Sequence, residues 1–174
     1  MVISLGLAGP GQATTLAPWT LEDFVAHANA AVAGTVTGIE VRWNDDHTQI
    51  HSYVTLDLDQ VVAGEVLPDP LVLDEIGGRV GRRIEVVEGA PVYLPGERVF
   101  VFVEKVDGIF RTLGFYQGKY TLEVDPASGK ERFVQRVPAG GVAVVTGGGV
   151  QEPTGVAYGR QELIDRVRAI AGVH

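Results

Sequence analysis

Apolar residues at Leu21, Phe24, Val25 and Ala28 recur at i, i+3, i+4 and i+7, the stripe of an amphipathic helix. Thr20 stands at the N-cap and Asp23 three residues on, and Glu22 with Asp23 suits the positive end of the helix dipole. A helix from Thr20 to about Asn29 is therefore predicted. The period then falls to two. Ala31 to Trp43 reads as one long strand and Gln49 to Val62 as another. On the second, Ile50, Ser52, Val54, Leu56 and Leu58 share one face, and Tyr53, Thr55, Asp57 and Asp59 the other. Gly34 and Gly38 inside the first predict bends or a close approach of backbones. Asn44-Asp45-Asp46-His47 between the two strands is turn chemistry, so the pair is a hairpin.

The same alternation continues downstream. Leu71-Val72-Leu73 begins a strand after Pro68-Asp69-Pro70. Ile76 to Arg83, with three glycines and three arginines, reads as a loop with the makings of an anion-binding nest. It has neither the Lys-Ser/Thr pair of a P-loop nor a helix after it. Ile84 to Val87 is a short strand segment, and Arg98 to Glu104 is the most apolar strand, expected at the centre of the fold. Asp107-Gly108 marks a hairpin turn. Phe110 to Tyr116, Lys119 to Val124 and Glu131 to Val137 follow as strands. Residues 138–159 hold Gly140-Gly141 and Gly147-Gly148-Gly149, little to pack, and read as a mobile linker. Residues 160–174 carry a last helix with the stripe Leu163, Ile164, Val167 and Ile170, docked on the domain.

Composition supports a β-rich single domain over residues 18–137. At 174 residues the chain is about one domain long, and 23 Gly with 9 Pro suit a turn-rich fold. The net charge of −8 argues against nucleic acid and against an anionic membrane surface, both of which reward Lys and Arg. The absence of Cys excludes disulfides, thiolate metal sites and cysteine nucleophiles. Residues 1–17 carry no charge. The apolar run Val2 to Ala8, followed by Gly11-Gln12-Ala13, reads as the end of a secretory signal peptide without its basic region, or as a disordered tail. Export to the periplasm or the outside is expected, with no transmembrane segment, since no later run nears the roughly 20 apolar residues that span a bilayer.

Trp43 to His51 holds two histidines and two aspartates, the right types for a metal. In a strand His47 and His51 are four rises apart, roughly 13 Å. One ion bound at about 2 Å from each ring nitrogen cannot hold both. A solvated hairpin tip is the better reading, and no metal or cofactor is expected. Hydrolase chemistry also finds little support. The only serines are Ser4, Ser52 and Ser128, none in a Gly-x-Ser-x-Gly elbow, and Ser52 points away from its neighbour His51. Asp57 and Asp59 share a strand face about 7 Å apart, which more often is a solvated face than a catalytic pair.

Several pieces carry a resemblance: Ala31-Val32-Ala33-Gly34-Thr35-Val36, Tyr53-Val54-Thr55-Leu56, Val62-Ala63-Gly64, and Pro95-Gly96-Glu97-Arg98-Val99-Phe100-Val101-Phe102. In this order, residues 31–104 resemble the OB-fold barrel of the amino-terminal domain of tissue inhibitors of metalloproteinases and of netrin-like domains. With Ile76-Gly77-Gly78-Arg79-Val80-Gly81 and Gly114-Phe115-Tyr116-Gln117-Gly118-Lys119-Tyr120 added, the chain resembles a group of uncharacterised exported bacterial proteins. The resemblance implies a mostly β, OB-fold-like Greek-key barrel with a helix before its first strand, an added C-terminal β-hairpin and a C-terminal helix. It implies protein binding, protease-associated or inhibitor-like. The inhibitors' zinc-binding amino-terminal cysteine has no counterpart here, so no inhibitory residue carries over.

The expectation is thus an exported, non-catalytic protein-binding module with an unidentified protein partner. Its candidate contacts are Trp43, Asp45, Asp46 and His47 at the hairpin tip and Arg79, Arg82 and Arg83 in the Gly-rich loop, since Trp and Arg are enriched at binding hot spots. The alternatives are an envelope-assembly component and, less favoured, a hydrolase.

Overall fold

The computed structural model describes residues 14–138, 142–146, 149–151 and 154–173. After strand β1 (Thr14–Leu16) comes helix α1 (Leu21–His27). Its capping box is complete: the Asp23 amide donates to Thr20 Oγ1 at 3.1 Å, and the Thr20 amide to Asp23 Oδ2 at 2.9 Å. The Thr20 amide, and then the Thr20 hydroxyl donating to Asp23 Oδ2 at 2.9 Å, hold the Asp23 carboxyl below its ordinary pKa. The helix stops at His27 rather than Asn29. Asn29 is already committed to the sheet, its amide on Val103 O and its side-chain oxygen accepting from the Lys105 amide.

The predicted hairpin is β2 (Ala30–Trp43) against β3 (Ile50–Gly64). Its register shifts at Ala31/Val32, Ala33/Gly34 and Val36/Gly38, so the ribbon coils. Gly34 lies where the backbones approach: a Cβ there would sit 2.5 Å from Asp57 O. β4 (Leu71–Ile76) pairs with β3, and β7 (Arg98–Val106) with β2. β8 (Ile109–Thr112) and β9 (Lys119–Val124) both pair with β7, and β10 (Glu131–Val134) completes the expected second hairpin with β9.

The structure departs from the sequence reading in several places. The strand expected over Phe110 to Tyr116 ends at Thr112, and Phe115–Gly118 forms a 3-10 helix. The Gly-Arg stretch read as a loop is a small hairpin, β5 (Gly78–Val80) with β6 (Arg83–Glu85). Residues 138–159, read as a linker, contain β11 (Val142–Thr146), β12 (Gly149–Gln151) and β13 (Ala157–Gly159). β13 pairs with β10, and β11 lies between β1 and β12. Of the signal remnant or disordered tail expected over residues 1–17, residues 1–13 fall outside the described residues, and Thr14–Leu16 is no loose tail but strand β1, paired with β11.

The main sheet runs β13-β10-β9-β7-β2-β3-β4, with β8 on β7 beside β9. Its ladder is open, ending on β4, so the mostly β class holds, but among the described residues no closed hydrogen-bonded barrel forms. β7 explains why one stretch reads as continuously apolar. Phe100 and Phe102 point to a core shared with α1 and with α2 (Arg160–Ala171). Val99, Val101 and Val103 point to a second core inside the curved sheet, with Val32, Val54, Leu56, Leu71 and Leu73. Both faces of the strand are buried, so no polar alternation survives. In α2, Leu163, Ile164 and Val167 are buried as the stripe predicts, while Ile170 at its edge is 37% exposed.

Candidate functional site

The β2–β3 tip is built by its own side chains. Asn44 Oδ1 accepts from the Thr48 and Gln49 amides at 2.9 and 3.0 Å, and Asp46 Oδ1 accepts from Thr48 Oγ1 at 2.6 Å and the Thr48 amide at 3.1 Å. The Thr48 hydroxyl, and then its amide, hold the Asp46 carboxyl below its ordinary pKa. His47 adopts a left-handed φ of 57°. Asp45, Asp46 and His47 are exposed and Trp43 is half-buried.

The β5–β6 hairpin lies against this tip. A Cβ at Gly78 would stand 2.5 Å from Val41 Cγ1 and 2.8 Å from Ser52 Oγ, so only glycine lets the backbone cross the tip this closely. Ser52 Oγ donates to Gly77 O at 2.8 Å, and the Ile50 amide donates to Glu85 Oε2 at 3.0 Å. The docked hairpin carries Arg83 to 5.9 Å over the Trp43 ring, and His47 lies 6.5 Å from the same ring. The two stretches singled out in the sequence therefore meet at Trp43, His47 and Arg83. Arg79 and Arg82 are exposed on the same small hairpin, with Arg79 Nε donating to Gly81 O at 3.1 Å. Asp45 is not part of this group. It borders a groove on the opposite face with Arg42, His51, Tyr53 and Asp74.

In that groove His51 Nδ1 lies 2.5 Å from Asp74 Oδ1, and His51 Nε2 is buried without a hydrogen-bond partner among the described residues. Ser52, one residue on, faces the other way toward Gly77. Asp57 and Asp59 are exposed; Asp57 Oδ1 accepts from Thr37 Oγ1 at 3.3 Å, and Asp59 lies 3.9 Å from Arg98.

The residue that sequence reading missed is Glu75. β4 and β8 face each other without a ladder, and Glu75 spans the gap: Oε1 accepts from the Thr112 amide at 2.9 Å and from Thr112 Oγ1 at 2.5 Å. Thr112 Oγ1 is also 2.6 Å from the buried Tyr93 hydroxyl. Burial pushes the Glu75 carboxyl up to about 7, against the opposing pull of the Thr112 bonds. Burial raises Tyr93 as well, with Glu75 adding to it. A signal was present, since Leu71, Leu73 and Glu75 share the inward face of one strand and a carboxylate there breaks the pattern. Among the described residues no cluster of three or more His, Asp or Glu is placed to hold a metal ion.

Comparison with models of known protein families, with curated proteins and with solved structures gives no match to this chain.

Proposed function

We propose that the protein is a non-catalytic protein-binding module that engages its partner through the face built by the hairpin tip and the β5–β6 hairpin. The observation that carries this reading is the meeting of Arg83 with Trp43. A half-buried Trp under a guanidinium has the composition of an interface anchor. Ile84, 59% exposed beside Arg83, adds apolar area on the same hairpin. Three exposed arginines within five residues, on a chain of net charge −8, suit an acidic surface of the partner.

The fold is an OB-like barrel whose last seam is closed by side chains, Glu75 to Thr112, in place of a ladder; the β2-β3-β4 meander followed by return to β7 beside β2 supports this. The protein is exported, which the uncharged apolar run Val2 to Ala8 with Gly11-Gln12-Ala13 supports.

The test is a pull-down from the envelope fraction of the cell that makes the protein, with Trp43→Ala/Arg83→Ala and Thr37→Ala as paired variants. A stoichiometric partner retained by Thr37→Ala and lost by the double variant is expected. A captured protease would connect the module to the inhibitor resemblance. Absence of any partner, or one held equally by all three proteins, overturns the reading. Large homo-assemblies in velocity sedimentation would favour the envelope-assembly alternative.

A further inference from the structure

A cavity of about 340 Å³ lies beside the β4–β8 seam. Trp19, Phe115, Pro91 and Ile76 give it apolar walls, and Glu75 reaches it from the core. Glu75 also lines a neighbouring cavity of about 310 Å³, so its carboxyl stands between two spaces. Glu75 is only 6% exposed, and among the described residues both hydrogen bonds it accepts end on Oε1, leaving Oε2 without a hydrogen-bond partner there. Asp74, Glu75, Glu104 and Arg111 make the polar rim; Asp74 is bonded to His51 and Arg111 Nε donates to Glu104 at 2.7 Å, which leaves Glu75 as the carboxylate without an ionic partner at hydrogen-bond distance among the described residues.

The mouth is built at a conformational cost. Phe115 holds a left-handed φ of 58°, uncommon for a bulky side chain, and remains 42% exposed at the cavity. Gly114 before it is also left-handed, at 72°, and a Cβ there would come 2.8 Å from Phe24. The Tyr116 amide ties the turn to Gly89 O at 2.9 Å. Strained aromatic backbone of this kind clusters at ligand clamps.

We infer that this cavity binds a small organic cation, an ammonium on an apolar or aromatic body, with Glu75 Oε2 receiving the ammonium and Trp19 and Phe115 enclosing the body. An aromatic face attracts a cation, and an apolar cavity with one placed carboxylate fixes orientation. A neutral ligand gains nothing from the negative rim, and an anion is repelled by it. The site lies apart from the Trp43–Arg83 face and does not depend on it.

The binding is coupled to protonation of Glu75. The charged and titratable groups around it are Asp74 on its own strand, Arg111 on β8, Glu104 on β7, Tyr93 opposite and Lys119 beyond Tyr93. With its carboxyl near 7, Glu75 goes from about one-tenth to about nine-tenths ionised between pH 6 and pH 8.

The probe is 2-phenylethylammonium, with 2-phenylethanol and 3-phenylpropionate as neutral and anionic counterparts. Titration calorimetry is run beside Trp19 fluorescence in a Trp43→Phe background, where Trp19 is the sole tryptophan. The ammonium is expected to bind saturably, roughly tenfold tighter at pH 8 than at pH 6, with proton release. The two counterparts are expected at least tenfold weaker. Glu75→Gln, checked by near-UV circular dichroism, is expected to lose tenfold at pH 8 and all pH dependence. Phe115→Gly, which relieves the backbone, is expected to weaken binding severalfold without lowering the melting temperature. Equal binding of the neutral counterpart, unchanged affinity in Glu75→Gln, or no saturable binding by the parent protein at pH 8 overturns the proposal.

Discussion

A carboxyl buried between two strands makes stability depend on pH in a direction opposite to most acids. Glu75 has its proton held more tightly in the folded chain, at about 7, than at the ordinary 4.5. Between those values the folded state binds more protons than the unfolded state, so stability falls as pH rises through the window and the loss is complete above 7. The shift corresponds to at most roughly 3–4 kcal/mol, given roughly 1.4 kcal/mol for each pH unit. Asp23, Asp46 and Asp125 act in the other sense, since turn and cap hydrogen bonds hold them below their ordinary range. Their contribution is present above that range and disappears as pH falls through their folded values. These four groups together place the maximum between the ordinary aspartate value of 3.8 and the ordinary Glu75 value of 4.5, with decline on both sides. Glu75→Gln keeps an acceptor for the Thr112 amide and cannot ionise. Urea unfolding at pH 5 and pH 8.5 is expected to show little difference between variant and parent at the lower pH. At the higher pH the variant is expected to be more stable by on the order of 2 kcal/mol. An equal difference at both values would show that Glu75 does not ionise in this range.

At the scale of elements, the docking of the β5–β6 hairpin depends on a single absent side chain. Gly78→Ala introduces a methyl group into Val41 and Ser52 at a φ of 136°, which an L side chain rarely adopts. The expected result is a loss of about 1–3 kcal/mol. Trp43 fluorescence is expected to shift toward that of an exposed ring, because Arg83 leaves with the hairpin. A parent-like spectrum with parent-like stability would mean that the hairpin is not held there. This element also shows where sequence reading fails. The period-two strands, the capping box and the Asp107-Gly108 turn were legible because their causes are local. Gly77-Gly78 looked like a loop or an anion nest because its cause is remote: the surface it must touch belongs to Val41 and Ser52. Glu75 breaks the apolar pattern of its own strand, but what it bonds to was hidden for the same reason, since Thr112 lies 37 residues away on a strand with which β4 forms no ladder. The convergence of Trp43 with Arg83 has the same origin, for neither stretch reports its distance from the other.

Over the whole molecule, β7 divides the interior into two cores whose fates differ. The core inside the curved sheet is closed by strands adjacent in the chain, β2 to β4, and by the Tyr93 segment. The other core is closed by both ends of the described chain, α1 and α2, over Phe100, Phe102 and Phe133. Phe24 stacks on Phe102 at 4.7 Å between centroids, and Leu163 and Val167, both 0% exposed, complete the layer. The C-terminal helix is thus a structural wall of the domain, and the strands that lead into it are tied to the sheet through β13 and β10. Leu163→Ala opens a cavity in this layer and is expected to cost about 3 kcal/mol. If the two cores unfold together, the urea slope m stays at the parent value and the midpoint alone moves. If α2 is instead a separable cover, the variant releases it first: m falls, and amide exchange accelerates in Arg160–Ala171 while β2 to β4 stay protected. Because β7 presents Phe100 and Phe102 to one core and Val99, Val101 and Val103 to the other, the strand transmits any loss of packing on one side to the other. A single cooperative transition is therefore the expected outcome, and hydrogen exchange of the α2 and β3 amides in the Leu163→Ala variant decides it.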